Sequence, residues 1–191
     1  MSGDEFEGNV GSGAKPFGFE PIQGSNGGNT IIKDIGPYGN NVLLWKVNGD
    51  SGFSINKISV NKAKIYRFSV WLRKDQSDGD SSFEIDNRVI CPNANFQSLE
   101  KDKWYLFVSY IYSSVESISS ESGIYDPESG LKIEGISCNS LTHINVRNNY
   151  YLSYKVSFSG GDNDVQYYYA PRADLVDGNE PSIGDLLNPY K

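Results

Sequence analysis

Histidine is almost missing from this chain: His143 is the only one in 191 residues, and it stands beside two cysteines (Cys91 and Cys138), one methionine and five alanines. His143 sits in the polar stretch Ser140–Asn145 with no serine, cysteine or acidic motif nearby, which leaves no general-base arrangement for a nucleophile. Two cysteines without framework spacing give no disulfide scaffold and read as small buried apolar residues with free thiols. The shortage of alanine removes the strongest helix former. Gly11-Ser12-Gly13 has no strand before it and no helix after it, so it is not a phosphate-cradling loop. Seventeen Lys and Arg against twenty-four Asp and Glu give a net charge of −7 with no basic cluster. A phosphate-neutralising mode of binding is therefore excluded, and nucleic acid with it. No apolar run reaches the length that crosses a bilayer, so no membrane partner is expected. Met1-Ser2-Gly3-Asp4-Glu5 lacks the basic start and apolar stretch of a signal peptide, so the expectation is a soluble chain made in the cytoplasm of its host cell.

What the chain has is aromatics and turn residues: thirteen Tyr, nine Phe, three Trp and twenty Gly. Ile65–Arg73 (IYRFSVWLR) and Lys103–Tyr112 (KWYLFVSYIY) alternate with a period of two, the mark of β-strands. Further strand signals run over Thr30–Ile35, Asn41–Val47, Gly52–Ile58, Ser82–Ile90, Asn149–Phe158 and Asp164–Val176, separated by Gly-, Pro- and Asn-rich turns. Tyr125–Gly130 (YDPESG) predicts a tight reversal, and Ser182–Leu187 after Pro181 predicts one short helical turn. Many short strands without helical crossovers predict an all-β antiparallel sandwich, a jelly roll, in a single unit. Residues 17–191 form that domain. Residues 1–16, glycine-rich, acidic and without periodicity, are expected to be a flexible N-terminal arm that another protein surface would order.

Strand parity nominates the candidate site. On Ile65–Arg73, Tyr66, Phe68, Val70 and Leu72 share one face and read as core, while Arg67, Ser69, Trp71 and Arg73 share the other. An indole between guanidinium groups either fills a second hydrophobic layer or stacks on a sugar and hydrogen-bonds its hydroxyls. Trp104–Tyr112 is apolar on both faces, which predicts burial on both sides or an oligomer contact. Tyr167, Tyr168 and Tyr169 cannot all point the same way, so at least one phenol is expected to meet solvent or ligand. Arg67, Trp71, Arg73 and Tyr168 are thus the expected ligand-binding residues, with no catalytic and no metal-binding residue. Asp75, Asp78 and Asp80, and Asp162, Asn163 and Asp164, offer hard oxygens of the kind calcium takes, but neither loop has the spacing of a calcium motif and both read first as solvated turns. No cofactor is expected.

Tyr66-Arg-Phe-Ser-Val-Trp71, continuing through Lys74, resembles the central strand of carbohydrate-binding-module-like jelly rolls of phage fibres and related virion surface proteins. Lys103–Leu106, Gly123–Gly130, Tyr150–Tyr154, Tyr168–Arg172 and Asp177–Ile183 extend the resemblance in order across residues 17–187. The resemblance implies a non-enzymatic jelly roll displayed on a particle or appended to a larger machine, often oligomeric and often sugar-binding, and the leading expectation is a phage virion surface protein attached to other virion proteins through residues 1–16. A purely structural capsid protein with no sugar binding, and a polysaccharide-degrading enzyme or its accessory module, are the alternatives.

Overall fold

The computed structural model describes residues 6–7, 11–12, 15–16, 20–21, 29–49, 51–61, 63–75, 80–85, 88–91, 98–112, 121–135, 141–142, 151–159 and 164–188. In chain order the strands are β1 (Phe6–Glu7), β2 (Gly11–Ser12), β3 (Lys15–Pro16), β4 (Glu20–Pro21), β5 (Asn29–Ile35), β6 (Asn41–Asn48), β7 (Ser51–Ser59) and β8 (Ile65–Lys74). They continue as β9 (Asp80–Ile85), β10 (Arg88–Cys91), β11 (Trp104–Tyr112), β12 (Gly123–Tyr125), β13 (Leu141–Thr142), β14 (Tyr151–Ser159) and β15 (Val165–Val176), and the helix α1 (Ile183–Leu187) follows.

The strands build a jelly-roll sandwich. Among the described residues one sheet has eight strands, β12-β11-β8-β15-β6-β5-β2 with β13 beside β11, a second has five, β10-β9-β14-β7-β4, and β1 and β3 form a separate pair. Every pairing is antiparallel except β13 on β11. Of the residues expected to form the arm, β1 pairs with β3, and β2 lies along β5 through Gly11 opposite Ile31 and Ser12 opposite Thr30.

Alternation decides what lies between the sheets. Phe68, Val70 and Leu72 from β8, Trp45 and Val47 from β6, and Tyr168 from β15 meet Phe53 of β7 and Phe83 and Ile85 of β9 in one core. Trp45 stacks on Phe53 at 4.3 Å between ring centroids, and Tyr168 meets the same ring edge-on at 5.4 Å. Each such ring contributes on the order of 2 kcal/mol through the apolar area it removes from water.

The eight-stranded sheet is also covered on its outer face. Trp71, Leu106, Val108, Tyr110, Tyr125, Tyr167 and Tyr169 join Leu186 and Leu187 of α1 in a second apolar cluster. This is the two-sided burial that the sequence of β11 predicts. α1 is the predicted helical turn: Ser182 caps it by accepting from the Asp185 backbone N–H, and the Asp185 side chain accepts in return from the Ser182 N–H. The predicted reversal is present too. Asp126 N–H bonds the Leu131 carbonyl, Gly130 N–H bonds the Asp126 carbonyl, and Gly130 takes φ +72°.

Candidate functional site

Antiparallel register sets three outer-face residues side by side. Arg73, near the end of β8, lies opposite Trp104 of β11 on one flank and opposite Tyr167 of β15 on the other. Its guanidinium carbon sits 4.3 Å from the Tyr167 ring centroid and 5.2 Å from that of Trp104, so the cation is held between two aromatic rings. Nη2 donates to Asp34 Oδ2 at 2.6 Å, and Nη1 to the Ile35 carbonyl at 3.4 Å. Arg73 Nε is buried and has no hydrogen-bond partner among the described residues.

The rim is part wet and part dry. The Asp34 side chain is 37% exposed and that of Arg73 15%, while both rings are buried. The hydrogen bond from Arg73 holds the Asp34 carboxyl below the ordinary carboxylate range, against a smaller upward push from burial. The Tyr167 hydroxyl donates to Asp75 Oδ2 at 3.4 Å. Burial raises its pKa, and Asp75 raises it further. The outcome is a small rim with guanidinium donors and two carboxylate acceptors beside two buried rings, one cation against two anions.

A second polar cluster lies toward the other end of β8. The Arg67 guanidinium donates to Asp174 at 2.9 Å, and Arg172 reaches the same carboxylate at 2.7 Å. Burial pushes the Asp174 carboxyl up, but the hydrogen bonds from Arg172 and Arg67 outweigh it and the carboxyl ends below its usual value. The partnership depends on a bulge. Between Tyr169 and Arg172 strand β15 advances three residues while β8 moves two, from Trp71 to Ser69. That extra residue, with Ala170 at φ +47°, reverses parity and brings Asp174 to the side of Arg67.

The four residues expected to bind ligand are not brought together. Only Arg73 stands at the rim. Trp71 is 2% exposed, with its indole N–H on the Tyr38 hydroxyl at 3.2 Å, so as the chain is folded it belongs to the hydrophobic layer. Arg67 is buried in its own ion pair. Tyr168 faces the other way, into the inter-sheet core, where its hydroxyl donates to Gln166 Oε1 at 3.0 Å and also meets Ser81. An inward strand position with a satisfied hydroxyl leaves no surface for a ligand. The residues that parity did not nominate for the site are Trp104, Tyr167, Asp34 and Asp75. For the two rings the signal is the cross-strand register, which one strand read alone does not carry. For Asp34 the sequence holds none.

Of the loop oxygens considered for calcium, Asp75 is the acceptor of the Tyr167 hydroxyl, and the Asp164 carbonyl accepts from the Gly49 N–H. Asp78, Asp162, Asn163 and the Asp80 side chain lie outside the described residues. So do His143, Cys138 and the Cys91 side chain. Among the described residues no three His, Cys, Asp or Glu side chains gather as metal ligands, and no helix is long and apolar enough to cross a membrane.

No protein-family profile matches the chain, and no curated protein matches it. Solved structures do. A structure described as "CBM4 structure and function" aligns over 83% of this chain and 94% of its own at 10% identity and TM-score 0.42. The C-terminal family 22 carbohydrate binding module of Clostridium thermocellum Xyn10B aligns over 92% and 97% at 8% identity and TM-score 0.42. An exo-beta-agarase aligns over 87% of this chain at 9% identity and TM-score 0.44, and the aligned part is 24% of the agarase chain.

Proposed function

We propose that this chain is a non-catalytic carbohydrate-binding module that holds a neutral glycan at the rim built by Arg73, Trp104, Tyr167, Asp34 and Asp75. The observation that carries the reading is the Arg73 guanidinium fixed between two rings and paired with a half-wet carboxylate. Immobilised donors and acceptors beside aromatic rings suit a ligand whose hydroxyls both donate and accept and whose C–H faces are apolar. One guanidinium against two carboxylates disfavours an acidic ligand and leaves a neutral one. Glycoside cleavage needs a carboxyl kept protonated by a raised pKa. At the rim the Asp34 carboxyl is lowered instead and stays ionised, which suits accepting hydrogen bonds from a held ligand.

A polysaccharide and glycan array tests this with the intact chain and Arg73→Ala. We expect binding to at least one neutral glycan, weakened about tenfold or more when the guanidinium is removed. Silence across the array, or equal binding by the variant, would sink the reading. Display on a phage particle, as an oligomer attached through residues 1–16, extends the proposal and is supported by the resemblance centred on Tyr66–Lys74. Deleting residues 1–16 is expected to abolish particle attachment while the body still folds, and undiminished attachment would count against it.

A further inference from the structure

Trp71 and Tyr169 are cross-strand neighbours on the outer face, one row along from Arg73 and Tyr167. Both are buried, and Tyr38 approaches both rings. Tyr38, from the turn between β5 and β6, stands edge-on to Trp71 at 5.6 Å and 84°, and edge-on to Tyr169 at 6.3 Å and 81°. Its hydroxyl accepts from the Trp71 indole N–H at 3.2 Å and donates to the Leu186 carbonyl of α1 at 2.6 Å. Beside the leucines of α1, the cover is thus a ring on a short turn, latched by one hydrogen bond from Trp71 and one to a helix of a single turn. Gly39 in that turn takes φ +75°.

The chemistry of the cover describes what it displaces. Tyr38 presents an apolar body to two rings and one hydroxyl that accepts from an indole and donates to a carbonyl, which is the combination a pyranose offers. Two residues along a strand separate this row from the Arg73 rim, a step of about 7 Å. A glycan seated at the rim would therefore lead directly onto the Trp71 row.

We infer that Trp71 and Tyr169 form a second carbohydrate platform, continuous with the rim, on which Tyr38 stands in place of a sugar ring. The inference rests on the carbohydrate reading of the rim and adds a subsite to it that the chain itself occupies. Removing the ring uncovers the platform, and removing only its hydroxyl loosens the latch.

The test titrates soluble xylan, mixed-linkage β-glucan and galactomannan into the intact chain, Tyr38→Ala, Tyr38→Ala with Trp71→Ala, and Arg73→Ala. Tyr38→Ala is expected to bind one of these about tenfold more tightly than the intact chain, and the added Trp71→Ala to abolish that gain. A folded Tyr38→Ala with no gain, or a gain that survives Trp71→Ala, overturns the platform. Should Tyr38→Ala not fold, Tyr38→Phe decides: hydrogen exchange at the Trp71 indole N–H is expected to quicken about tenfold, and unchanged exchange overturns the inference. The arms separate the two readings. Binding by the intact chain that Arg73→Ala weakens, with no gain in Tyr38→Ala, keeps the rim and removes the platform. Binding that appears only in Tyr38→Ala keeps the platform and removes the rim.

Discussion

Arg67 and Asp174 show what a buried charge demands of its neighbours. Their side chains are 3% and 12% exposed, and the carboxylate is shared with Arg172. Taking away one member of such a pair leaves the other charge without compensation, at a cost of about 3 kcal/mol or more. Asp174→Asn is therefore expected to lose about that much stability at neutral pH, read from the urea midpoint. The effect has a direction in pH. The folded pKa of Asp174 lies below its unfolded value, so its stabilisation is complete above about pH 4 and drains away as pH falls through the folded value. The gap between the intact chain and Asp174→Asn should consequently close in acid, and a gap that stays constant from neutral to strongly acidic pH would show that the charge pair is not its source.

At the scale of the element, the strands and turns were legible wherever local chemistry decides them. Pro127 and Gly130 mark the reversal after β12, and Gly130 takes the positive φ that the position requires. Gly130→Ala is expected to cost about 1 kcal/mol, measured by thermal unfolding, because a Cβ is strained there although nothing lies close to it. A neutral result would mean that the turn relaxes freely. Ser182 and Asp185 likewise announce α1, and the uniform apolarity of Trp104–Tyr112 announces burial on both faces. The candidate site was harder to read. Parity on β8 grouped Arg67, Trp71 and Arg73 correctly on one face, but which of them meets solvent depends on chains passing overhead: Tyr38 and α1 cover Trp71, while Arg67 disappears under its ion pairs. Three consecutive tyrosines do not say which of them points inward, and the Tyr168 side of β15 belongs to the core. Trp104 and Tyr167 reach Arg73 only through register across β11, β8 and β15, and Asp174 reaches Arg67 only through the bulge near Ala170. Such long-range alignments leave no local trace.

The whole molecule is a sandwich with two apolar layers instead of one, and the second layer shapes the proposed binding rim. A sheet coated only on its inner face would leave Trp71, Trp104, Tyr167 and Tyr169 to water. Here Tyr38 and α1 close the middle of the outer face and leave a charged, ring-lined rim at one end. The chain's three indoles report on these layers separately: Trp45 lies between the sheets with its N–H on Asn29, Trp71 lies beneath Tyr38, and Trp104 stands at the rim beside Arg73. The most direct measurement follows the indole N–H resonances of the labelled chain as a bound oligosaccharide is added. The account predicts that Trp104 shifts with saturation while Trp45 stays fixed. Saturable binding that leaves Trp104 unmoved would contradict it.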